Sequence, residues 1–533
     1  MKSEHSDAIV IGSGFGGAIA ALRLGEHGVR TLVLERGRHW PITEEQDTFC
    51  TYREPDGRAA WLSDETVLFE PKPIPRFTGL LERLVEDGIT VWCAAGVGGG
   101  SLVYNGCHYQ PRREVFERVF PKEIPYDEMD SVYYPRVRSV VEPSPIPGDI
   151  LASDFYLASR VFAEQAAFAG LGAKRLDIAI DWDVVREEIE GGKHPAAIAG
   201  EIWYGLNSGA KRSVDHNYLD RALKTGHVEI RALHHVTEIG ETGNGGYRIA
   251  CERIYEQGNV LESVEFTTER LFLAAGSVGT TKLLVRAKGR QALRGLNEFV
   301  GKDWGNNGDT FATRYVSTRT NPGQGGTASV AIEHPDNPIL PTSLIVYPEW
   351  DAPEGTLTTL GMTLPADLGE CAYDPETGQA VVRWRSDTPA NARMLDAVNL
   401  TYKLLNDANP YDLPPEGSLS FSGHFHCPIN GFPERSHLNA GQHEITSANG
   451  GITAHPIGGV VLGKACDWFG RVKGYRGLYV VDGAMVPGGC TAATNPAHTI
   501  AALAERCLET IIAEDFSRKP EARSRREGVA EAI

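Results

Sequence analysis

The sequence predicts an α/β fold (α+β overall) built around a Rossmann-like domain with a parallel sheet. A strand–glycine turn–helix unit opens the chain, an acidic residue stands at the end of the next strand, and 533 residues exceed what one core usually serves. Two interwoven domains are therefore expected. Asp7 to Ile11 is a short apolar run that reads as a buried strand, Gly12-Ser-Gly-Phe-Gly-Gly17 follows at once, and Ala18 to Leu24 has helical composition and spacing. Gly28-Val-Arg closes that helix, Thr31 to Leu34 reads as the second strand, and Glu35 and Arg36 lie at its carboxyl end. Each residue type has a physical reason. Gly12 permits a tight turn, Gly14 lets the backbone approach a pyrophosphate, Gly17 lets helix and strand pack closely, and the helix N-terminus faces phosphate charge. Glu35 is placed to accept from ribose hydroxyls. The competing reading is a βαβ turn that binds nothing.

Further glycine loops decide which dinucleotide is expected, because a flavin cofactor must be wrapped by more of the chain than a nicotinamide one. Gly96, Gly98, Gly99 and Gly100, followed by Ser101, form a second glycine-rich loop able to bring backbone N–H groups against a flat ring or a phosphate. Arg270 to Thr280 reads as a buried strand turning at Ala275-Gly276 into a helix that carries Leu283 and Leu284. Near the C-terminus, Gly477 to Pro487 is an apolar strand ending in Asp482-Gly483. Asp482 either bonds a ribityl hydroxyl or simply forms a turn. FAD is the cofactor these loops predict.

Composition excludes other partners. Lys plus Arg is 52 and Asp plus Glu is 70, a net charge of −18 that repels phosphate backbones and anionic membrane surfaces. Nine scattered cysteines suit free thiols in a reducing compartment. The N-terminus has no apolar signal region and no stretch reads as a membrane span, so a cytoplasmic protein is expected, with a secreted form lacking its signal as the alternative.

His455, in Thr453-Ala-His-Pro-Ile-Gly-Gly459, lies in a rigid, close-packed setting unlike that of a surface histidine. Asn495 has the signature of a helix N-cap with Pro496 at the first helical position, ahead of the stripe Ile500, Leu503, Ala504 and Cys507. A helix N-terminus there favours the anionic ring of a reduced flavin. These segments together resemble the glucose–methanol–choline (GMC) oxidoreductases, and within them the bacterial cholesterol oxidases that hold FAD non-covalently. The likeness runs from about Asp7 to about Ile511, and residues 313–440 match more weakly. It implies an FAD domain assembled from 1–147, 226–312 and 451–515, and a substrate domain from 148–225 and 313–450 in which helices cover an antiparallel sheet. Residues 516–533 are read as a tail. Val236 falls where the family closes a backbone contact to adenine, with an ordinary strand valine as the alternative. His455 and Asn495 match the pair that flanks the substrate hydroxyl.

The resemblance thus implies oxidation of an alcohol to a carbonyl, of a bulky secondary alcohol such as a sterol, with oxygen as acceptor. The alternative is a dehydrogenase or tailoring enzyme acting on a non-steroid alcohol with another acceptor. Two departures matter. The glutamate that moves a proton when a steroid double bond migrates is matched by Ile345, which puts isomerisation in doubt; Glu349, four positions on, takes that place only with a shifted alignment and otherwise reads as an exposed loop carboxylate. Asn105 fills the family's flavin-facing asparagine position only with a one-residue shift. His424, His426 and Cys427 have metal-ligand residue types but no second ligand pair, so no metal is expected. His498 is read as lying on the outer face of its helix. The segment 48–90 matches the loop at the family's substrate mouth and is a candidate lid.

Overall fold

A computed structural model describes residues 3–68, 71–243, 245–409, 443–445 and 451–516. Its organising layer is a five-stranded sheet in the order Leu478–Val480, Leu271–Leu273, Ala8–Ile11, Thr31–Leu34, Val228–Arg231, parallel throughout. The first four of these strands are buried along their whole length, as parallel strands covered on both faces must be, which is why they read as unbroken apolar runs. Helix Phe15–Glu26 crosses from the first strand in sequence to the second and lies against helix Ala497–Ile511. Beside this layer a four-stranded sheet sets Val236 in strand His234–Glu241, at a register shift.

The second layer is a six-stranded sheet ordered His443–Ile445, Thr310–Tyr315, Thr356–Met362, Thr342–Tyr347, Val330–His334, Gly172–Arg175, every pair antiparallel. Its two faces are divided by strand alternation. Phe311, Ile345, Tyr347 and Leu360 pack toward Trp92 and Trp203 in the molecular interior. Ala312, Leu344, Val346 and Leu357 pack instead on Phe162 of helix Leu157–Phe168 and on Val398 and Tyr402 of helix Pro389–Asp407. That last helix begins where Thr388 accepts from the Asn391 N–H and Pro389 pre-sets the first turn.

The segment read as a loop over 48–90 contains regular structure: a helical turn at Gly57–Ala59, bridges Trp61–Thr78 and Glu65–Pro73, and the start of an antiparallel hairpin, Leu81–Glu86 with Ile89–Ala94. Strand Gly451–Thr453 adds to that hairpin in parallel and so brings the stretch leading to His455 alongside it. The eight cysteines among the described residues are free thiols. Among the same residues no helix is long and apolar enough to cross a membrane.

Candidate active site

The glycines of the first turn are demanded by neighbouring backbone. Gly12 has φ +95°, and a Cβ there would lie 2.3 Å from the Ala274 carbonyl oxygen. A Cβ on Gly16 would meet the Val481 oxygen at 1.9 Å, and one on Gly17 the Gly12 oxygen at 2.0 Å. Glu35 braces this turn: one carboxylate oxygen accepts from the Ser13 N–H at 3.1 Å and its hydroxyl at 2.7 Å, the other from the Gly37 N–H at 2.9 Å. Arg36 donates to Glu82 beside it.

The dispersed glycine segments meet around one cavity of ≈ 770 Å³, in the range of small-molecule sites of about 300–1,000 Å³. Of the residues expected to contact a cofactor, Gly12, Gly14, Phe15, Gly16, Glu35, Arg36, Gly99, Gly100, Val236, Ala275, Gly276, Asp482, Gly483, Asn495 and Pro496 line it. Gly17, Gly96, Gly98 and Ser101 do not. Gly17 sits between helix and strand, a Cβ on Gly96 would strike Leu102 and Trp40, and Ser101 donates to the Gly98 carbonyl while accepting from the Val214 N–H. These four shape the loops and present no surface to the cavity.

Asp482 forms the turn that its Asp-Gly pair suggests and also lines the cavity. It accepts from Ala484 N–H at 2.9 Å as the cap of a short helical turn, and from Gly276 N–H at 2.9 Å and the Thr280 hydroxyl, which ties the C-terminal strand to helix Gly276–Gly289. Burial pushes its carboxyl up to about 6 against those bonds.

The imidazole of His455 also faces the cavity, and its orientation is set from the far side. Its Nδ1 lies 2.9 Å from Asp309 Oδ1, while the other oxygen of Asp309 accepts from Thr453 Oγ at 2.8 Å. Thr453 Oγ in turn accepts from the His455 N–H at 2.8 Å. The carboxylate accepts only, so Nδ1 carries the proton and Nε2 keeps a lone pair. Asn495 Nδ2 is 3.5 Å from that Nε2. Asp309 is 4% exposed and 146 positions away in sequence, and no local motif marks it.

Three expectations are corrected here. Helix Ala497–Ile511 begins later than expected, with Pro496 at the N-cap position and no side-chain cap, because the carboxamide of Asn495 turns to His455. His498 is fully buried, stacked on Tyr134 at 4.8 Å, with its Nδ1 3.1 Å from His108 Nδ1; His108 Nε2 reaches the Tyr104 hydroxyl at 3.3 Å. Burial drives the His108 imidazole down to about 3, assisted by Arg138, and lowers His498 as well, so both rings are neutral. Glu349 is buried, accepting from the Thr358 hydroxyl, and it does not line the cavity. Ile345 lies in the interior sheet face, and Asn105, left aside by its offset, lines the cavity.

A flavin dinucleotide suits these surroundings. Gly100 and Gly276 have no atom within 4 Å of a would-be Cβ, which leaves their backbone open to a ligand, and the carboxamide oxygens of Asn105 and Asn495 are buried without a partner. Three helices begin at the cavity wall, at Phe15, Gly276 and Ala497, and place partial positive charge there. Among the described residues no group of His, Cys, Asp and Glu has the arrangement to hold a metal ion. His424, His426 and Cys427 lie outside them.

Comparison with known proteins agrees with this geometry. Models of the N- and C-terminal parts of the GMC oxidoreductases match residues 6–290 and 373–504. A cholesterol oxidase of Mycobacterium tuberculosis is 27% identical, covering 95% of this chain and 91% of its own. Among solved structures, pyridoxine 4-oxidase from Mesorbium loti superposes with a TM-score of 0.61 at 16% identity, covering 95% of this chain and 99% of that one. A formate oxidase of Aspergillus oryzae, studied for modification of its FAD, gives 0.58 at 13% identity, with 97% and 99% covered.

Proposed function

The chain belongs to the GMC oxidoreductase family, FAD-dependent enzymes acting on alcohol-type donors, and from that premise we propose that it oxidises a bulky, lipophilic secondary alcohol such as a sterol to the ketone, with oxygen as final acceptor. The observation that carries this reading is the Asp309–His455–Asn495 alignment in the wall of the glycine-lined cavity. The likeness to a cholesterol oxidase over nearly the whole chain supports the substrate class.

Glu35 would hold the ribose hydroxyls, the turn Gly12 to Gly16 the pyrophosphate, Val236 the adenine, and Gly100, Gly276 and Asn495 the ring system. When bound there, FAD supplies the acceptor for the hydride leaving the carbinol carbon. His455 takes the hydroxyl proton on Nε2, because Asp309 fixes the proton already present on Nδ1. The Nδ2 of Asn495 donates to the alcohol oxygen and holds it against the imidazole. Ile345 has no group to move a proton, so the reading stops at the ketone and includes no double-bond migration.

Anaerobic mixing with a panel of sterols and other lipophilic alcohols tests the proposal through bleaching of the bound flavin, followed by oxygen and a peroxide assay. His455→Gln should retain FAD and bleach about 10²- to 10⁴-fold more slowly, the usual contribution of a positioned proton acceptor. An unchanged rate removes His455 from the mechanism.

A further inference from the structure

The loops that carry His455 and Asn495 are both tied to a third segment of chain, Gly305 to Asp309. On one side Gly305 donates to the Ile457 carbonyl at 2.8 Å and accepts from the Ile457 N–H at 3.0 Å, two residues after His455. On the other the Asn307 N–H donates to the Gly489 carbonyl at 3.0 Å. The segment then enters strand Thr310–Tyr315, whose Phe311 lines the cavity together with Trp203 and Tyr347.

The side chain of Asn307 is fully buried, and its partners fix how the carboxamide is turned. Its oxygen accepts from the Thr491 N–H at 2.9 Å, and its nitrogen donates to the Thr494 carbonyl at 3.0 Å. A backbone N–H only donates and a carbonyl only accepts, so the opposite orientation fails. The same nitrogen lies 3.5 Å from Asp309 Oδ1, the oxygen that faces His455. Thr491 and Thr494 bound the turn that leads into Asn495: the Thr494 hydroxyl donates to the Thr491 carbonyl at 2.7 Å, and the Thr491 hydroxyl reaches the Thr494 carbonyl at 2.8 Å. Between them Ala492 and Ala493 have φ +58° and +60°. A β-carbon disfavours that region, so two successive alanines persist there only where surrounding bonds hold them. Asn307 ties this closed turn to the segment that carries Asp309. Its own φ of +61° is one that asparagine tolerates better than most residues.

Asn495 Nδ2 and His455 Nε2 are 3.5 Å apart, too far for their contact alone to fix two side chains. Resting on the reading that this pair takes an alcohol between its members, we propose that Asn307 is a positioning residue for it: its carboxamide places Asn495 against the imidazole that Asp309 orients. Asn307 does not line the cavity and acts only through the turn. A displacement of about 1 Å at a reacting centre costs on the order of 10²-fold in rate, which sets the scale of the loss when the turn relaxes.

Asn307→Gly leaves the backbone free to keep its positive φ and removes the carboxamide. In the FAD-loaded enzyme, with cholesterol or cyclohexanol as the probe, flavin bleaching should slow about 10- to 100-fold at undiminished FAD content. Made in an Asn495→Ala background, the same substitution should slow it by less than about twofold further, because the group it positions is gone. Thr491→Val keeps the side-chain volume and should give a smaller loss with the same dependence on Asn495; it carries the test if Asn307→Gly does not fold. Hydrogen exchange of the FAD-loaded enzyme without alcohol, read on peptides spanning Thr491 to Asn495, should be faster in either variant. Unchanged exchange, or a loss of rate as large in the Asn495→Ala background, would overturn the proposal. Faster exchange with an undiminished bleaching rate also overturns it and leaves the oxidation reading standing. Faster exchange in a protein whose flavin neither alcohol bleaches upholds the brace and overturns the oxidation reading.

Discussion

His455 depends on a residue that its own sequence neighbourhood does not reveal. The proline and glycines around it mark a rigid setting, but the carboxylate behind it comes from Asp309, just ahead of strand Thr310–Tyr315. Asp309→Asn retains the size of the side chain and loses its acceptor-only character, so the imidazole is free to place its proton on either nitrogen. The expected result is a flavin-bleaching rate lowered roughly 10²-fold or more with substrate affinity nearly unchanged, read by anaerobic stopped flow; a wild-type rate would show that Asp309 does not orient the base. Asn495 shows the opposite failure of local reading. Its sequence context fits a helix cap so well that the carboxamide's turn toward His455 is visible only once the segment after strand Gly451–Thr453 is in place. The burial of His498 is hidden for a related reason: burial on a helix is decided by what packs against each face, here Tyr134 and His108, and helical spacing alone does not show it.

The segment that leads from the glycine turn toward the substrate side is pinned by Glu201, whose carboxylate accepts from the Tyr52 N–H at 3.1 and 3.2 Å. Burial pushes this carboxyl from 4.5 up to about 7, opposed by the Tyr52 bond and Arg53. Between those two values the folded state binds a proton that the unfolded chain has released, so this group's contribution to stability falls as pH rises through the window. Glu201→Gln keeps an acceptor for Tyr52 and lacks that dependence. Its melting temperature relative to wild type should therefore rise from about pH 5 to about pH 8, by an amount on the order of 1–3 kcal/mol in stability; a difference independent of pH would refute the ionisation. The strand–turn–helix units at Gly12 and Gly276 were legible from sequence because they rest on short-range sterics. The hairpin Leu81–Glu86 with Ile89–Ala94 also has a local signal in its Asp87-Gly88 turn, whereas the pairing of Ile89–Ala94 with Gly451–Thr453, more than 350 positions on, has none.

Separated stretches of chain converge on the cavity, and a ligand that touches them all adds to the sheet pairing and hydrogen bonds that already join them. Ligand occupancy stabilises a fold by mass action, about 3–4 kcal/mol at a hundred to a thousand times Kd. Stripping FAD should lower the melting temperature by several degrees, and adding FAD back should restore it in a concentration-dependent way; indifference to FAD would contradict a cofactor that bridges the stretches. The parallel layer was foreseeable because its strands are apolar on both faces, whereas the antiparallel layer, in the stretch of weak family likeness, was expected from resemblance alone. At that layer's strand Thr310–Tyr315, Phe311 and Asp309 stand two residues apart, one lining the cavity and the other aiming the imidazole of His455. Selectivity and turnover are therefore written into the same few ångströms of backbone. Efforts to retailor this catalyst for a new compound by altering Phe311 will disturb its speed as well, whereas Trp203 and Tyr347, carried on other stretches, offer room to alter preference without slowing the chemistry.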